Sequence, residues 1–168
     1  MFMQNLNLIY KPSVVILLLL MVNLSAVALE SDRQQKISLE GAGCVSKIKL
    51  GQTECPNGMV IKQGSLLIEA DYGLITHKNN QIDTVLMKGQ PVHMQQTMED
   101  QTVMHIRANE INYLYSAEIA ILTGDVVIEN NMGVSSGDAM EFNLKTQELK
   151  AVGENKQPFR LEIDPSND

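Results

Sequence analysis

From Leu66 onward the chain alternates apolar and polar side chains with a period of two. That alternation constrains the fold more than any other feature. Leu66, Ile68 and Ala70 share one face of their segment, and Met104, Ile106 and Ala108 share one face of theirs. Met140, Phe142 and Leu144 repeat the pattern, and so do Phe159, Leu161 and Ile163. Successive side chains leave opposite faces of a strand, so each run reads as a half-buried β-strand. Turn-forming clusters separate the runs: Lys78-Asn79-Asn80-Gln81, Glu99-Asp100-Gln101, Asn130-Asn131-Met132-Gly133 and Lys145-Thr146-Gln147. Gly, Asn and Asp supply the positive φ angles or local hydrogen bonds that tight turns need. Many short strands with turns between them predict an all-β sandwich, barrel or jelly roll.

The strands also resemble one another. Ile68-x-Ala70-Asp71 is echoed by Ile106-x-Ala108-Asn109 and, more weakly, by Ser135-x-Gly137-Asp138. Each is followed by a strand, a turn, a second strand and a closing glycine: Gly89, Gly124 and Gly153. Further strands are expected to begin after two of these glycines, at Val92-His93-Met94 and Val126-Val127-Ile128. A loose period of about 30 residues predicts stacked hairpin units that share one core. Chance likeness among strands is the alternative.

The N-terminus has the three-part layout of a secretory signal. One cation, Lys11, precedes the apolar run Val14 to Val22, and Ser25-Ala26-Val27-Ala28 offers a small-x-small cleavage site. The run is short of the roughly 20 residues that a transmembrane helix needs. Cleavage after Ala28 makes residues 1–28 a signal peptide and residues 29–168 a single domain in the periplasm, with 159–168 as its C-terminal edge strand and tail. The alternative is an uncleaved anchor from Val14 to Leu29. The net charge of −7 argues against nucleic acid, whose phosphates require clustered Lys and Arg. No polybasic stretch offers itself to an anionic membrane surface either.

Cys44 and Cys55 are the two cysteines. In an oxidising compartment an even pair suggests one disulfide, and a loop this short gains about 3 kcal/mol by chain entropy. Two free thiols are the alternative. A lipidated Cys44 is excluded, because Glu30, Asp32, Arg33 and Lys36 separate it from the apolar run.

The sequence offers no sign of catalysis. His93 and His105 fall on polar faces by alternation, and HExxH and Cys-x-x-Cys are both absent, so no metal and no cofactor is expected. Gly133-Val134-Ser135-Ser136-Gly137 contains no Lys and precedes a strand, which makes it a turn or bulge and not a phosphate cradle. Glu69, Asp71, Glu110 and Asp138 read as a solvated surface. The expectation is a protein that is not an enzyme.

Four segments in order, Met59-Val-Ile-Lys-Gln-Gly64, Ile68-Glu-Ala-Asp71, Gly89-Gln-Pro-Val92 and Leu122-Thr-Gly-Asp-Val126, resemble the LptA/OstA family of lipopolysaccharide-transport proteins. The resemblance covers roughly Gly58 to Ile163. It implies an open, twisted β-jelly roll whose groove holds lipid acyl chains, in a protein that connects an inner-membrane extraction complex to an outer-membrane translocon. The first third departs from the family pattern: Ile37-Ser38-Leu39 reads as its opening strand, and Cys44 to Cys55 as an insertion or rebuilt hairpin.

On that resemblance the expected lipid-binding groove is lined by Leu66, Ile68, Met94, Met104, Ile106, Ile111, Tyr113, Tyr115, Met140, Phe142 and Leu144. Any one of them is equally a core residue, since every sandwich needs a core. The ten methionines suit a groove that adapts to flexible tails. An inward Tyr, at 113 or 115, can line a groove with its hydroxyl at the wet rim. Edge strands expected to contact partners carry Ile37 and Leu39 at one end and Phe159, Leu161 and Ile163 at the other. The implied partners are lipopolysaccharide, through its lipid A acyl chains, an inner-membrane LptC-like protein, an outer-membrane LptD-like protein, and further copies of this chain stacked head to tail. A scaffold or adaptor of the same fold that binds no lipid, and an LptC-like protein anchored in the inner membrane, are the other readings.

Overall fold

The computed structural model describes Asp32 and residues 34–152 and 158–163. The predicted signal peptide and its cleavage site, Gly153 and the tail from 164 lie outside the described residues.

Among the described residues twelve strands follow one another: β1 (Ser38–Gly41), β2 (Val45–Lys47), β3 (Gln52–Cys55), β4 (Met59–Gln63), β5 (Leu66–Ala70), β6 (Tyr72–Lys78), β7 (Gln81–Thr97), β8 (Val103–Leu114), β9 (Ile119–Asn130), β10 (Gly133–Asn143), β11 (Glu148–Ala151) and β12 (Arg160–Glu162). All pairings are antiparallel and join the strands into one open sheet. The tight turns fall where the polar clusters predict them. Asn79 and Asn80 both take positive φ, 52° and 61°, as the two-residue hairpin between β6 and β7 requires.

The long strands β7 to β10 bend in the middle, and the bend divides the sheet into two halves. The registers slip at Lys88/Val92 on β7, Arg107/Glu110 on β8 and Gly137/Ala139 on β10. Beyond the bend, β5 pairs with β7 at His93 to Gln95, whereas β6 pairs with β7 at Gln81 to Lys88. The first half therefore runs β1-β4-β5, then one arm each of β7, β8, β9 and β10, then β12. The second runs β2-β3-β6, the other arms of the same four strands, and β11. One hydrophobic cluster draws on both, with Ile68, Met94, Ile106 and Ile128 from the first half and Ile75, Met87, Ile111, Leu122 and Phe142 from the second.

The repeated Ala/Gly-Asp/Asn pairs mark this corner. Ala70-Asp71 sits where β5 gives way to β6, Ala108-Asn109 in the slip of β8, and Gly137-Asp138 in the slip of β10. Their polar side chains stitch neighbouring bends together. Asp71 accepts the Gln90 amide at 3.2 Å, and Asn109 donates to Asp125 at 3.0 Å. The expectation that new strands begin after Gly89 and Gly124 is corrected. β7 and β9 run through both glycines, because a bulge turns a strand while its ladder continues on either side. Gly124, at φ 79°, is one of these hinges.

At the N-terminal end a disulfide joins Cys44 to Cys55, with Cα atoms 4.1 Å apart. Cys55 is fully buried. A Cβ on Gly41 would lie 2.6 Å from the Cys44 sulfur and 2.8 Å from the Gly58 carbonyl, so the crossing there admits glycine alone. The rebuilt hairpin is β2 and β3, joined through a single 3-10 turn, Ile48–Leu50.

Candidate functional site

Because the sheet is open, its two halves converge at the corner and part elsewhere. Towards the N-terminal end they enclose an apolar cleft of about 280 Å³. Its first wall is Ile37, just before β1, Leu39 of β1, Ile61 and Gln63 of β4, and Leu66 and Ile68 of β5. Its second wall is Thr53 of β3, Ile75 and His77 of β6, Ile82 and Val85 of β7, and Tyr113 and Tyr115. Strand alternation builds both walls. In the cross-strand pairs Ile61↔Ile68, Thr53↔Ile75 and Val85↔Tyr113 both partners point inward.

The two tyrosines differ in their backbone. Tyr113 lies on β8, whereas Tyr115 begins a 3-10 turn, Tyr115–Ala117, that leads into β9. Their rings meet edge to face with centroids 5.9 Å apart, a favoured aromatic geometry. They line the cleft together with Ile37 and Leu39.

The structure divides the sequence-predicted groove residues into two sets. Leu66, Ile68, Tyr113 and Tyr115 line the cleft. Met94, Met104, Ile106, Ile111, Met140, Phe142 and Leu144 are inward and buried, and they fill the space between the halves beyond it. Of Ile37 and Leu39, expected at a partner edge, Leu39 is on the edge strand β1 and Ile37 immediately precedes it; both also line the cleft. Phe159, Leu161 and Ile163 lie at the opposite end, on or beside β12, and stay exposed; Leu161 is 52% accessible although its partner Ser135 is buried. Sequence reasoning missed Thr53, Ile61, Gln63, Ile75, His77, Ile82 and Val85. The alternation of β4 and β6 carries the signal for Ile61 and Ile75. It also missed β11, the C-terminal edge of the second half. His93 and His105 are exposed on the outer face, where with Arg107 they line a shallow depression. Among the described residues no cluster of three or more His, Cys, Asp or Glu could hold a metal ion. No described helix is long and apolar enough to cross a membrane.

Residues 45–148 match the family described as LptA/(LptD N-terminal domain) LPS transport protein. The chain belongs to that family. The match spans β2 to the start of β11 and leaves out β1 and β12, the two edges of the first half. The lipopolysaccharide export system protein LptA of Haemophilus influenzae is 27% identical over 145 residues, 84% of each chain. The crystal structure of LptH, the LptA-homologous periplasmic component of the lipopolysaccharide transport device of Pseudomonas aeruginosa, superposes with a TM-score of 0.73 at 19% identity. That match covers 80% of this chain and 99% of LptH. The open, bent sheet is thus the LptA fold, and the disulfide-pinned hairpin lies at its N-terminal end.

Proposed function

We propose that this LptA-family chain is a periplasmic carrier that binds lipopolysaccharide and helps move it from the inner to the outer membrane. The observation that carries this reading is the apolar cleft between two half-sheets that part on one side. A closed barrel admits a ligand only through its mouth, whereas an open sheet admits alkyl tails from the side. Each methylene moved from water to such a wall gains about 0.8 kcal/mol. The cleft in the present conformation is small, and six buried methionines, Met59, Met87, Met94, Met98, Met104 and Met140, continue beyond it. Their unbranched side chains re-pack at low cost, so a tail can extend from the cleft into the filled part.

In this reading residues 1–28 are a cleaved signal peptide, residues 29–168 form the mature domain, and the protein does no chemistry. Among the described residues both ends of the open sheet carry unpaired strand edges, β1 and β2 at one and β11 and β12 at the other. Such edges recruit further strands. Joining opposite ends of successive molecules, or of LptC-like and LptD-like neighbours, would run the cleft on as one groove in a head-to-tail, non-closing assembly. The test is whether purified mature protein retains lipopolysaccharide from cells and rebinds it after delipidation. Delipidated, folded protein that takes up none would return the reading to a scaffold that joins envelope proteins through its edges.

A further inference from the structure

An antiparallel sheet that buries one face ordinarily keeps polar residues on the other. The first half obeys this rule. On its central strands β7 and β8 the outward side chains are His93, Gln95, His105 and Arg107. The second half departs from it. One outward row there crosses β6, β7, β8 and β9 as Leu74↔Leu86↔Asn112↔Ile121. The adjoining outward row crosses the same strands as Thr76↔Thr84↔Leu114↔Ile119. The inward row between them is Ile75↔Val85↔Tyr113↔Ala120, which fixes both outward rows on the side away from the cleft. None of the eight outward residues carries a charge, and the five leucines and isoleucines are partly exposed. Thr76 and Thr84 bond their hydroxyls to each other, so these two positions also spend their polarity inside the patch. Val45 of β2, 55% exposed, extends the first row past Glu54.

Strands about 4.8 Å apart and same-face neighbours about 6.8 Å apart make this grid roughly 19 by 14 Å. With the bordering strands β3 and β10 the face comes to about 600 Å² per copy, or about 1,200 Å² in a dimer, the lower edge of specific interfaces. The carboxylates that border the grid are matched by lysines: Glu54 by Lys47 at 3.6 Å, Glu110 by Lys88 at 3.0 Å and Glu141 by Lys150 at 4.0 Å. Lys78, Asp83 and Glu118 lie beyond its other end, at the turns and in the β7 bulge. In a chain of net charge −7 this face is therefore locally balanced. A second copy approaches it without facing like charge, whereas a strongly charged partner finds no excess of opposite charge to hold. We propose that the outer face of the second half-sheet is the contact surface for a second copy of this chain, packed back to back about a two-fold axis. Each copy offers the same patch in such a contact, and the bordering lysines and glutamates are available to partners across it. The cleft and the unpaired edges lie outside the contact, so it stands independently of the lipid-carrier reading.

The test is sedimentation velocity of the purified protein over a dilution series, beside the variants Asn112→Lys and Leu161→Pro. Asn112 is polar and outward in the middle of the grid, so a lysine there spares the core and sets like charges against each other across the two-fold. The wild type should pass from one chain to two as concentration rises. Asn112→Lys should weaken that association about tenfold or more with the circular dichroism spectrum unchanged, and Leu161→Pro, at an edge, should leave it intact. A wild type that stays a single chain, or an Asn112→Lys variant that associates as the wild type does, overturns the proposal. So does an association that Leu161→Pro alone abolishes, which would assign it to the edges. A photoreactive residue at Asn112 gives an independent readout in cells, without added charge. A crosslinked product of two copies supports the contact, whereas a product with a different protein, or none, overturns it.

Discussion

Val85 and Tyr113 face each other across β7 and β8 and both line the cleft, Val85 buried at its floor and Tyr113 half-buried. One strand pair further from the cleft, Met87 faces Ile111, and both of those are fully buried. The passage from slot to packed interior is therefore made within two residues of one ladder. It sets the first prediction. A photoreactive residue at Tyr113 or Leu39 crosslinks to lipopolysaccharide in cells, one at Phe142 crosslinks less, and one at Asn112 or Glu141 does not. Equal labelling of the inward and outward positions would show that strand alternation defines no groove.

The disulfide holds the hairpin that departs most from the family pattern. Replacing Cys44 and Cys55 together with Ala is expected to lower unfolding free energy by about 3 kcal/mol in chemical denaturation. Non-reducing peptide maps of the native protein should recover the Cys44–Cys55 crosslinked peptide, and two alkylatable thiols would contradict the pairing.

Gly124 occupies φ 79°, and a Cβ there would stand 2.8 Å from the Asn109 amide nitrogen and 3.0 Å from its Cβ. Gly124→Ala combines a left-handed backbone with crowding at the corner. A loss of about 1–2 kcal/mol is expected in urea denaturation, with the circular dichroism spectrum preserved.

Asp100 anchors the turn between β7 and β8. Hydrogen bonds from the Thr102 hydroxyl at 2.6 Å and the Thr102 amide at 3.0 Å hold its pKa below the ordinary aspartate value, with Asn131 contributing. A depressed folded-state pKa stabilises the fold above the unfolded-state pKa, and that contribution is lost as pH falls through the folded value. Carboxyl titration by NMR should find Asp100 below the ordinary aspartate value, and Thr102→Val should move it back up.

At the C-terminal end β12 has only three residues, paired with Val134 to Ser136. Leu161→Pro removes a backbone donor and breaks this edge. Pull-downs should show weakened docking to a neighbouring transport protein, with circular dichroism close to wild type because β1 to β11 remain. A folded variant that binds its neighbours at full strength would move the joint elsewhere, with β11 the next edge to test.

Local physics determines much of this protein, and it was legible in the residues. Period-two alternation assigns Leu66, Ile68, Met104, Ile106, Met140 and Phe142 to one side of their strands, because pleating leaves a side chain no other choice. Asn79-Asn80 and Gly133 mark turns because few other residues tolerate their backbone angles. The recurrence of Ala70-Asp71, Ala108-Asn109 and Gly137-Asp138 was visible as a repeat, although its meaning as a shared corner was not. Only the tertiary structure decided that Gly89 and Gly124 bend strands without ending them, since that depends on which neighbours stay paired across the bend. It also decided that Tyr113 borders the cleft while Met140 and Phe142 do not. Alternation states which face a side chain takes; how far that face stands from the opposite one is set by the packing of both halves together.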